Sequence, residues 1–335
     1  MNHSTPWLVV KDAGLYCEPG QFYIDPAVPV PSAVITHAHG DHACAGHGDV
    51  FGHTATLGLM QSRFGNQSAN HWHCLAYQQP VAVNDIDLYL LPAGHILGSA
   101  QLVMRYQGRK IIVSGDYKRC LDPTCEPFLV EPCDVFITEA TFALPVFKHP
   151  PIEDELHKLL HSLHLFPHRC HLVGVYILGK CQRLIRTLRL MGYLEPIYIH
   201  GSLKKTCDFY QQCGIDLGEL RSAFELTKAE SAGKIVLCPP SALRDRWSRR
   251  FANVITCMAS GWMQIRARAK QQGVELPLII SDHADWPELI QTLAEVNPRE
   301  ILVTHGREEA LVYYARQQGY AAQALHLLGY EDHED

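Results

Sequence analysis

The sequence predicts an α/β protein whose strand-rich first part is interrupted by a parallel α/β segment and resumed toward the C-terminus. Three observations carry this: short apolar runs alternate with turns up to Ser114, the period becomes helical from Glu153, and the strand-then-turn pattern returns after Leu276. In the first part, Phe22-Tyr23-Ile24-Asp25, Ala33 to Thr36, Ile86 to Leu91, Gln101 to Tyr106 and Lys110 to Ser114 read as strands, the last two as a hairpin around Gln107-Gly108. From Glu153 onward, helices are predicted near 153–164, 180–191, 203–213 and 241–251. They are separated by the apolar runs Leu172 to Leu178, Pro196 to Ile199 and Ile235 to Leu237, the alternation of a parallel α/β unit. Leu278-Ile279-Ile280 and Ile301-Leu302-Val303 each end in a histidine-bearing turn that leads into a helix.

With 335 residues, 47% of them hydrophobic, the chain can bury a substantial core. No stretch approaches the roughly 18 apolar residues of a membrane span, and Met1 to Lys11 lacks a basic segment followed by an apolar one. A cytoplasmic protein with no membrane partner is therefore expected. The 12 cysteines include no CxxC pair, which argues for reduced, buried thiols over a structural zinc site or a disulfide framework. Histidine is the unusual residue, at 20 copies. Charge is uneven as well: residues 146–270 hold 19 Lys and Arg against 10 Asp and Glu, within a chain of net charge −6. A basic middle in an acidic protein fits either a polyanionic ligand or a solvated basic face.

The densest chemistry lies in Thr36-His37-Ala38-His39-Gly40-Asp41-His42, three imidazoles and a carboxylate at the end of an apolar run. In an extended segment His37 and His39 project to one side, and Gly40 lets the chain turn so that Asp41 and His42 reach a second point nearby. Two borderline metal ions would suit such a set.

This HxHxDH pattern resembles the opening metal motif of the metallo-β-lactamase superfamily, and later residues match that family's motifs in order. Asp25 follows Phe22-Tyr23-Ile24 as the first motif's aspartate does. His95 in Gly94-His95-Ile96-Leu97-Gly98-Ser99 resembles the third motif, and Asp116 in Ser114-Gly115-Asp116 the fourth. The resemblance implies an αββα sandwich with one metal held by His37, His39 and His95, the other by Asp41 and His42, and Asp116 bridging both. Zinc is the expected metal, with manganese as an alternative. Asp25 is expected either to orient a ligating histidine or to cap the turn at Pro26.

Thr138-Glu139-Ala140-Thr141 resembles the acidic motif of the β-CASP nucleases, which lies just before an inserted domain. Ser281-Asp282-His283-Ala284-Asp285 resembles their histidine motif, and Val303-Thr304-His305-Gly306 their last one, which would add His305 to the second metal. The resemblance covers nearly the whole chain. It implies a discontinuous metallo-β-lactamase domain over 1–145 and 272–335, with a parallel α/β β-CASP domain over 146–271. It also implies a two-metal phosphodiesterase with a catalytic set of Asp41, Glu139 and His283. A hydroxide shared by two cations about 3.5–4 Å apart attacks phosphorus, and His283 protonates the leaving group.

Within the insert, Lys180 stands where the family usually carries arginine at a helix start, and Ser241 lies in Pro239-Pro240-Ser241-Ala242. Both are candidate backbone contacts, Ser241 with the alternative of an N-cap. Arg246 and Arg249 beside Trp247, and Trp262 in Ser260-Gly261-Trp262-Met263, complete the expected nucleic-acid contacts, although a tryptophan there also reads as core. Asp12-Ala13-Gly14-Leu15-Tyr16, Cys238 to Ala242 and the Ser260 and Ser281 stretches resemble the bacterial DNA exonucleases associated with ATP-dependent DNA ligases. DNA repair, with such a ligase as partner, is the implied role. His305 keeps an RNA-processing ribonuclease, exo or endo, as the alternative, because ribonucleases of the superfamily commonly carry this histidine. A lactam or thioester hydrolase would need neither the basic insert nor His283 with Glu139, and an inactive scaffold would show degenerate ligands.

Overall fold

The computed structural model describes residues 7–325, which form two compact units. One runs to Lys148 and resumes at His283; the other is His149–Asp282. Residues 1–6 and 326–335, to which the expected first domain and the reading of the chain start extend, lie outside the described residues.

In the first unit two sheets face each other. The six-stranded sheet runs in spatial order Leu8–Lys11, Gly14–Cys17, Phe22–Ile24, Ser32–Ile35, His47–His53 and Ala69–Leu75. The seven-stranded sheet runs Ala321–Ala324, Glu300–Gly306, Val135–Ala140, Arg109–Val113, Ala100–Tyr106, Ile86–Pro92 and Val81–Val83. Their facing sides share one core: Leu15, Phe22, Ile24 and Val34 from one sheet pack with Leu88, Leu102, Met104 and Ile111 from the other. The opposite face of the larger sheet, with Val103, Ile112, Phe136 and Ile301, packs with Leu289, Leu293, Leu311 and Ala315 of the helices Trp286–Val296 and Glu308–Gln317. Helix Thr54–Phe64 packs on strands His47–His53 and Ala69–Leu75. These layers are the αββα sandwich of the metallo-β-lactamase fold.

Side-chain alternation explains the layering, since successive strand residues point to opposite faces. In the larger sheet the strands Arg109–Val113, Val135–Ala140, Glu300–Gly306 and Ala321–Ala324 pair in parallel, while Ile86–Pro92 and Ala100–Tyr106 form antiparallel pairs beside them. Two antiparallel steps restore the direction, so Ile86–Pro92, Arg109–Val113, Val135–Ala140 and Glu300–Gly306 all end on one edge. The turns that carry chemistry leave from that edge.

The second unit has an all-parallel sheet in the order Leu220–Ser222, Ile197–Ile199, Ile235–Cys238, Cys170–Gly174, Val254–Ala259 and Leu276–Leu278. Its central strands are buried throughout, as a sheet covered on both faces requires. Helices Ile152–Leu165, Lys180–Leu190 and Gly201–Gln212 form close to the predicted spans. The predicted helix over 241–251 does not form; two short 3-10 turns, Pro240–Leu243 and Arg246–Arg250, stand there instead. Leu243, Trp247 and Phe251 have helical spacing, but Asp245 accepts a hydrogen bond from the Arg246 amide and Ser248 donates to the Asp245 carbonyl. These local bonds compete with a continuous helix. The strand expected at 278–280 is Leu276–Leu278. No helix among the described residues is long and apolar enough to cross a membrane.

Candidate metal centre

Strand Ser32–Ile35 delivers Thr36 to His42 at its end, and Asp25 fixes this segment from the neighbouring strand. Asp25 Oδ1 accepts the Thr36 amide at 2.7 Å, and its Oδ2 accepts the Thr36 hydroxyl at 2.6 Å and lies 2.9 Å from His42 Nδ1. Of the two expectations for Asp25, the structure places it on a histidine of the cluster, with His42 Nε2 turned inward. Thr36 also sits 3.2 Å from His37 Nδ1, so each of these rings has its outer nitrogen engaged.

Two groups of donor atoms converge. His37 Nε2 and His39 Nδ1 are 3.1 Å apart, His39 Nδ1 and His95 Nε2 are 3.0 Å apart, and Asp116 Oδ2 is 3.4 Å from His37 Nε2 and 3.8 Å from His95 Nε2. The second group is Asp41, His42 and His305: Asp41 Oδ2 lies 3.7 Å from His42 Nε2 and 3.6 Å from His305 Nε2. Asp116 joins them, because the same Oδ2 is 3.4 Å from His42 Nε2 while Oδ1 is 3.2 Å from His305 Nδ1. Around a tetrahedral zinc with bonds near 2.1 Å, neighbouring donors stand about 3.4 Å apart. The first group already has that spacing.

The electrostatics also call for cations. Burial, helped by the His42 charge, pushes His37 well below its ordinary value, so it is a neutral donor. Burial works against the charged form of His42, but Asp116 and Asp41 outweigh it and hold the ring well above its ordinary value. His305 is raised in the same way against burial, chiefly by Asp116. Asp116 is held well below the carboxylate range despite burial, by His42, His305 and His37, and Asp41 is lowered likewise, chiefly by His42. With protons alone, the positive charge that balances the two carboxylates sits on His42 and His305. Divalent ions would replace those protons and leave both imidazoles as ligands, the usual coupling of metal binding to proton release. The donor set therefore fits two borderline cations, with His37, His39, His95 and Asp116 for one and Asp41, His42, His305 and Asp116 for the other.

Local backbone geometry holds these residues in place. Gly115 has φ +54°, and a Cβ there would lie 2.8 Å from the Thr36 hydroxyl, so only glycine lets the turn bring Asp116 against the His37 segment. His305 itself is left-handed at φ 58°, and Gly306 follows at φ +119°, where a Cβ would meet the Ala140 carbonyl oxygen at 2.5 Å. A left-handed non-glycine residue at a ligand position is strain of the kind that surrounding structure must impose. Ser99 Oγ accepts the His95 and Ile96 amides at 3.1 Å, closing the turn that aims His95.

Beside the ligands, His283 Nδ1 is 3.1 Å from Glu139 Oε2, both side chains buried, and 3.9 Å from Asp116 Oδ2. Glu139 is fixed by the Tyr117 amide on Oε1 at 2.7 Å and by the Thr141 hydroxyl on Oε2 at 2.6 Å. Thr36, Ser99, Gly115 and Thr141 carry no role in the sequence reading. Ser99, Gly115 and Thr141 stand within the motif stretches, but as neighbours of the ligand and catalytic positions. Asp285, in the same stretch as His283, caps helix Trp286–Val296 in a capping box with Glu288.

In the second unit the expected nucleic-acid contacts divide. Ser241, Arg246 and Arg249 are exposed, and Ser241 makes no N-cap bond. Lys180, expected to face a phosphate, is 2% exposed and ion-paired with Asp282 at 3.2 Å, while Arg183 donates to the Ser281 carbonyl at 2.7 Å. Helix Lys180–Leu190 turns this end inward because buried carboxylate and carbonyl partners await it. Trp262 is also buried, with the Arg268 guanidinium 4.1 Å over its ring, so it offers no open face to a base.

Comparison with known proteins adds the following. Residues 277–318 match the family described as Zn-dependent metallo-hydrolase RNA specificity domain. A protein named probable DNA ligase from Opitutus terrae is 28% identical over 324 residues, 96% of this chain and 31% of that protein. Endoribonuclease YSH1 of Saccharomyces cerevisiae is 31% identical over 145 residues, 39% of this chain and 18% of its own length. Cleavage and polyadenylation specificity factor subunit 3-I of Arabidopsis thaliana is 24% identical over 306 residues, 74% of this chain and 43% of that protein. The chain thus spans less than half the length of each. A crystal structure of a protein of unknown function from Enterococcus faecalis V583 shares the fold at a TM-score of 0.52 and 13% identity, covering 81% of this chain and 74% of that one.

Proposed function

We propose, for a chain that belongs to the β-CASP nucleases of the metallo-β-lactamase fold, that it is a two-metal phosphodiesterase acting on DNA, as an exonuclease in DNA repair. The observation that carries the reading is Asp116 Oδ2, which stands 3.4 Å from His37 Nε2 in one donor group and 3.4 Å from His42 Nε2 in the other, beside the His283 and Glu139 pair. Bound there, two divalent cations, zinc foremost and manganese as the alternative, would lower the pKa of the attacking water and neutralise charge developing on the phosphoryl oxygens.

The chain's own residues supply the rest. Asp41 is the least buried of the ligand side chains, at 20% exposure, and would accept a hydrogen bond from water entering the centre. Glu139 Oε2 holds the Nδ1 proton of His283, which leaves Nε2 to carry the proton that passes to the departing sugar oxygen. Glu139 stabilises that imidazolium and orients the ring, as a neighbouring carboxylate does. The first unit acts as the catalytic metallo-β-lactamase domain and the second as the β-CASP domain that binds the strand through Ser241, Arg246 and Arg249.

DNA is favoured because the ligase-named relative is similar across 96% of the chain, whereas the yeast endoribonuclease is similar across 39%. An ATP-dependent DNA ligase is the proposed partner, and the reducing cytoplasm the proposed place, on the 12 free cysteines. RNA is the second reading, favoured by His305 and by the family name that matches residues 277–318. DNA and RNA oligonucleotides labelled separately at each end decide substrate, polarity and exonucleolytic mode. Elemental analysis should find about two metal ions per chain, and Asp116→Ala should lose both the ions and the cleavage. A wild-type chain with no bound metal and no metal-dependent cleavage overturns the reading.

A further inference from the structure

The second unit contains a cavity of about 240 Å³ lined by Pro240, Ser241, Leu243, Arg244, Met258, Gln272 and Val274. It lies beyond the carboxyl end of strand Ile235–Cys238, the side on which parallel sheets place ligands. We propose that this cavity is a binding site for a single adenine nucleotide, separate from the metal centre.

Its walls have two kinds of surface. Leu243, Met258 and Val274 belong to one apolar cluster, with Met258 buried within it, and together with Pro240 they offer an apolar, polarisable slot for a flat ring. Gln272 supplies the polar end: the residue lines the cavity, and its side-chain oxygen, closed off from solvent and without a hydrogen-bond partner, would gain one if the carboxamide turned toward a ligand there. A buried acceptor left in that state is disfavoured unless a ligand or water satisfies it. A carboxamide presents one acceptor and one donor side by side, the pair that matches N6 and N7 of adenine.

The rim supplies the charge. Arg244 is exposed and gives one donor to the Gln271 carbonyl at 3.1 Å, which leaves further guanidinium donors for a phosphate. The Ser241 hydroxyl lies on the same rim. Between residues 241 and 270 the chain carries Arg244, Arg246, Arg249, Arg250, Arg266, Arg268 and Lys270 against Asp245 alone, so the surroundings favour an anion. Ligand pockets usually hold about 300–1,000 Å³. A smaller volume admits one base with its sugar and excludes a stacked run.

The nucleotide could arrive free or as one unit of a strand, and a photo-reactive probe distinguishes the two. The full chain with its metals is irradiated with 8-azidoadenosine 5′-monophosphate, and separately with an oligonucleotide carrying one 8-azidoadenine; the labelled peptides are then mapped. Label is expected within 240–244 or 272–274, from both probes if free nucleotide binds and from the oligonucleotide alone if a strand unit does. AMP should compete at least about tenfold better than UMP, by the bidentate contact. Arg244→Ala at an exposed position and Gln272→Leu at a half-buried one, both checked by thermal melting, should each reduce the label about tenfold. Label absent from these segments, or undiminished in both variants, overturns the proposal. So does label found at the metal centre and lost in Asp116→Ala. Binding is read without cleavage, so its failure is distinct from failure of the nuclease reading.

Discussion

Glu139 divides its two oxygens, giving Oε1 to the Tyr117 amide and Oε2 to the Thr141 hydroxyl and the His283 ring. On the proposed mechanism a carboxylate so held orients the imidazole and is not itself a metal ligand. His283→Ala should therefore keep both ions and lose about 10²–10⁴-fold in cleavage of an ordinary phosphodiester, with Glu139→Gln losing less. On an ester with a nitrophenyl leaving group, which departs unprotonated, His283→Ala should cleave nearly as well as wild type; equal losses on both substrates would make His283 a phosphate ligand instead. Asp25 poses the complementary test. Because it fixes His42 through Nδ1, Asp25→Asn should weaken metal binding about 10–100-fold in competition with a chelator. A residue that only capped the Pro26 turn would leave the affinity unchanged. His37 to His42 can be read from sequence because they are contiguous. Thr36, Ser99 and Thr141 cannot, since a hydroxyl acquires its role only from the carboxylate or amide that folding brings within 3.1 Å.

At the scale of elements, the apolar strands of the second unit and the strands that lead into the metal centre are visible as runs. His47–His53 and Ala69–Leu75 are not, because His, Asp, Asn and Gly occupy their open positions and leave few inward residues such as Val50 and Leu75 to mark them. Helix Thr54–Phe64 is equally quiet: it starts from a histidine cap and carries two threonines and a glycine, all poor helix formers. Lys180 illustrates the opposite error. A lysine at a helix start reads as a phosphate ligand, yet the cluster of Asp282 and the Ser281 carbonyl turns this helix end into an internal anchor. Lys180→Met removes the cation paired with a buried carboxylate and should destabilise the protein by about 3–5 kcal/mol in denaturant titration. Replacing Lys180 and Asp282 together with apolar residues should recover most of that. A single variant as stable as wild type would show that the Lys180–Asp282 pair is not an anchor of this helix end.

For the molecule as a whole, a basic segment within an acidic chain predicts association that weakens as salt rises. On single-stranded nucleic acid each phosphate contact contributes about 0.7 to the slope of log affinity against log salt. Arg246→Glu and Arg249→Glu should each lower affinity across sequences and flatten that slope by about this amount or more, measured by titration at several salt concentrations. Unchanged affinity in both would move the strand path elsewhere and leave the Arg246–Arg250 turn as a solvated surface. The discontinuity of the first unit has a consequence for synthesis. Glu139 and His283 are 144 residues apart, and at about 5–20 residues per second a ribosome needs on the order of 10 s to pass from one to the other. Throughout that interval the emerging chain holds four histidines and two aspartates of the centre without His305, and strand Val135–Ala140 awaits Glu300–Gly306 with its edge open. Early capture of a metal ion by the incomplete set, and pairing of that open edge with another nascent chain, are hazards that a chaperone or an early-folding insert would have to limit.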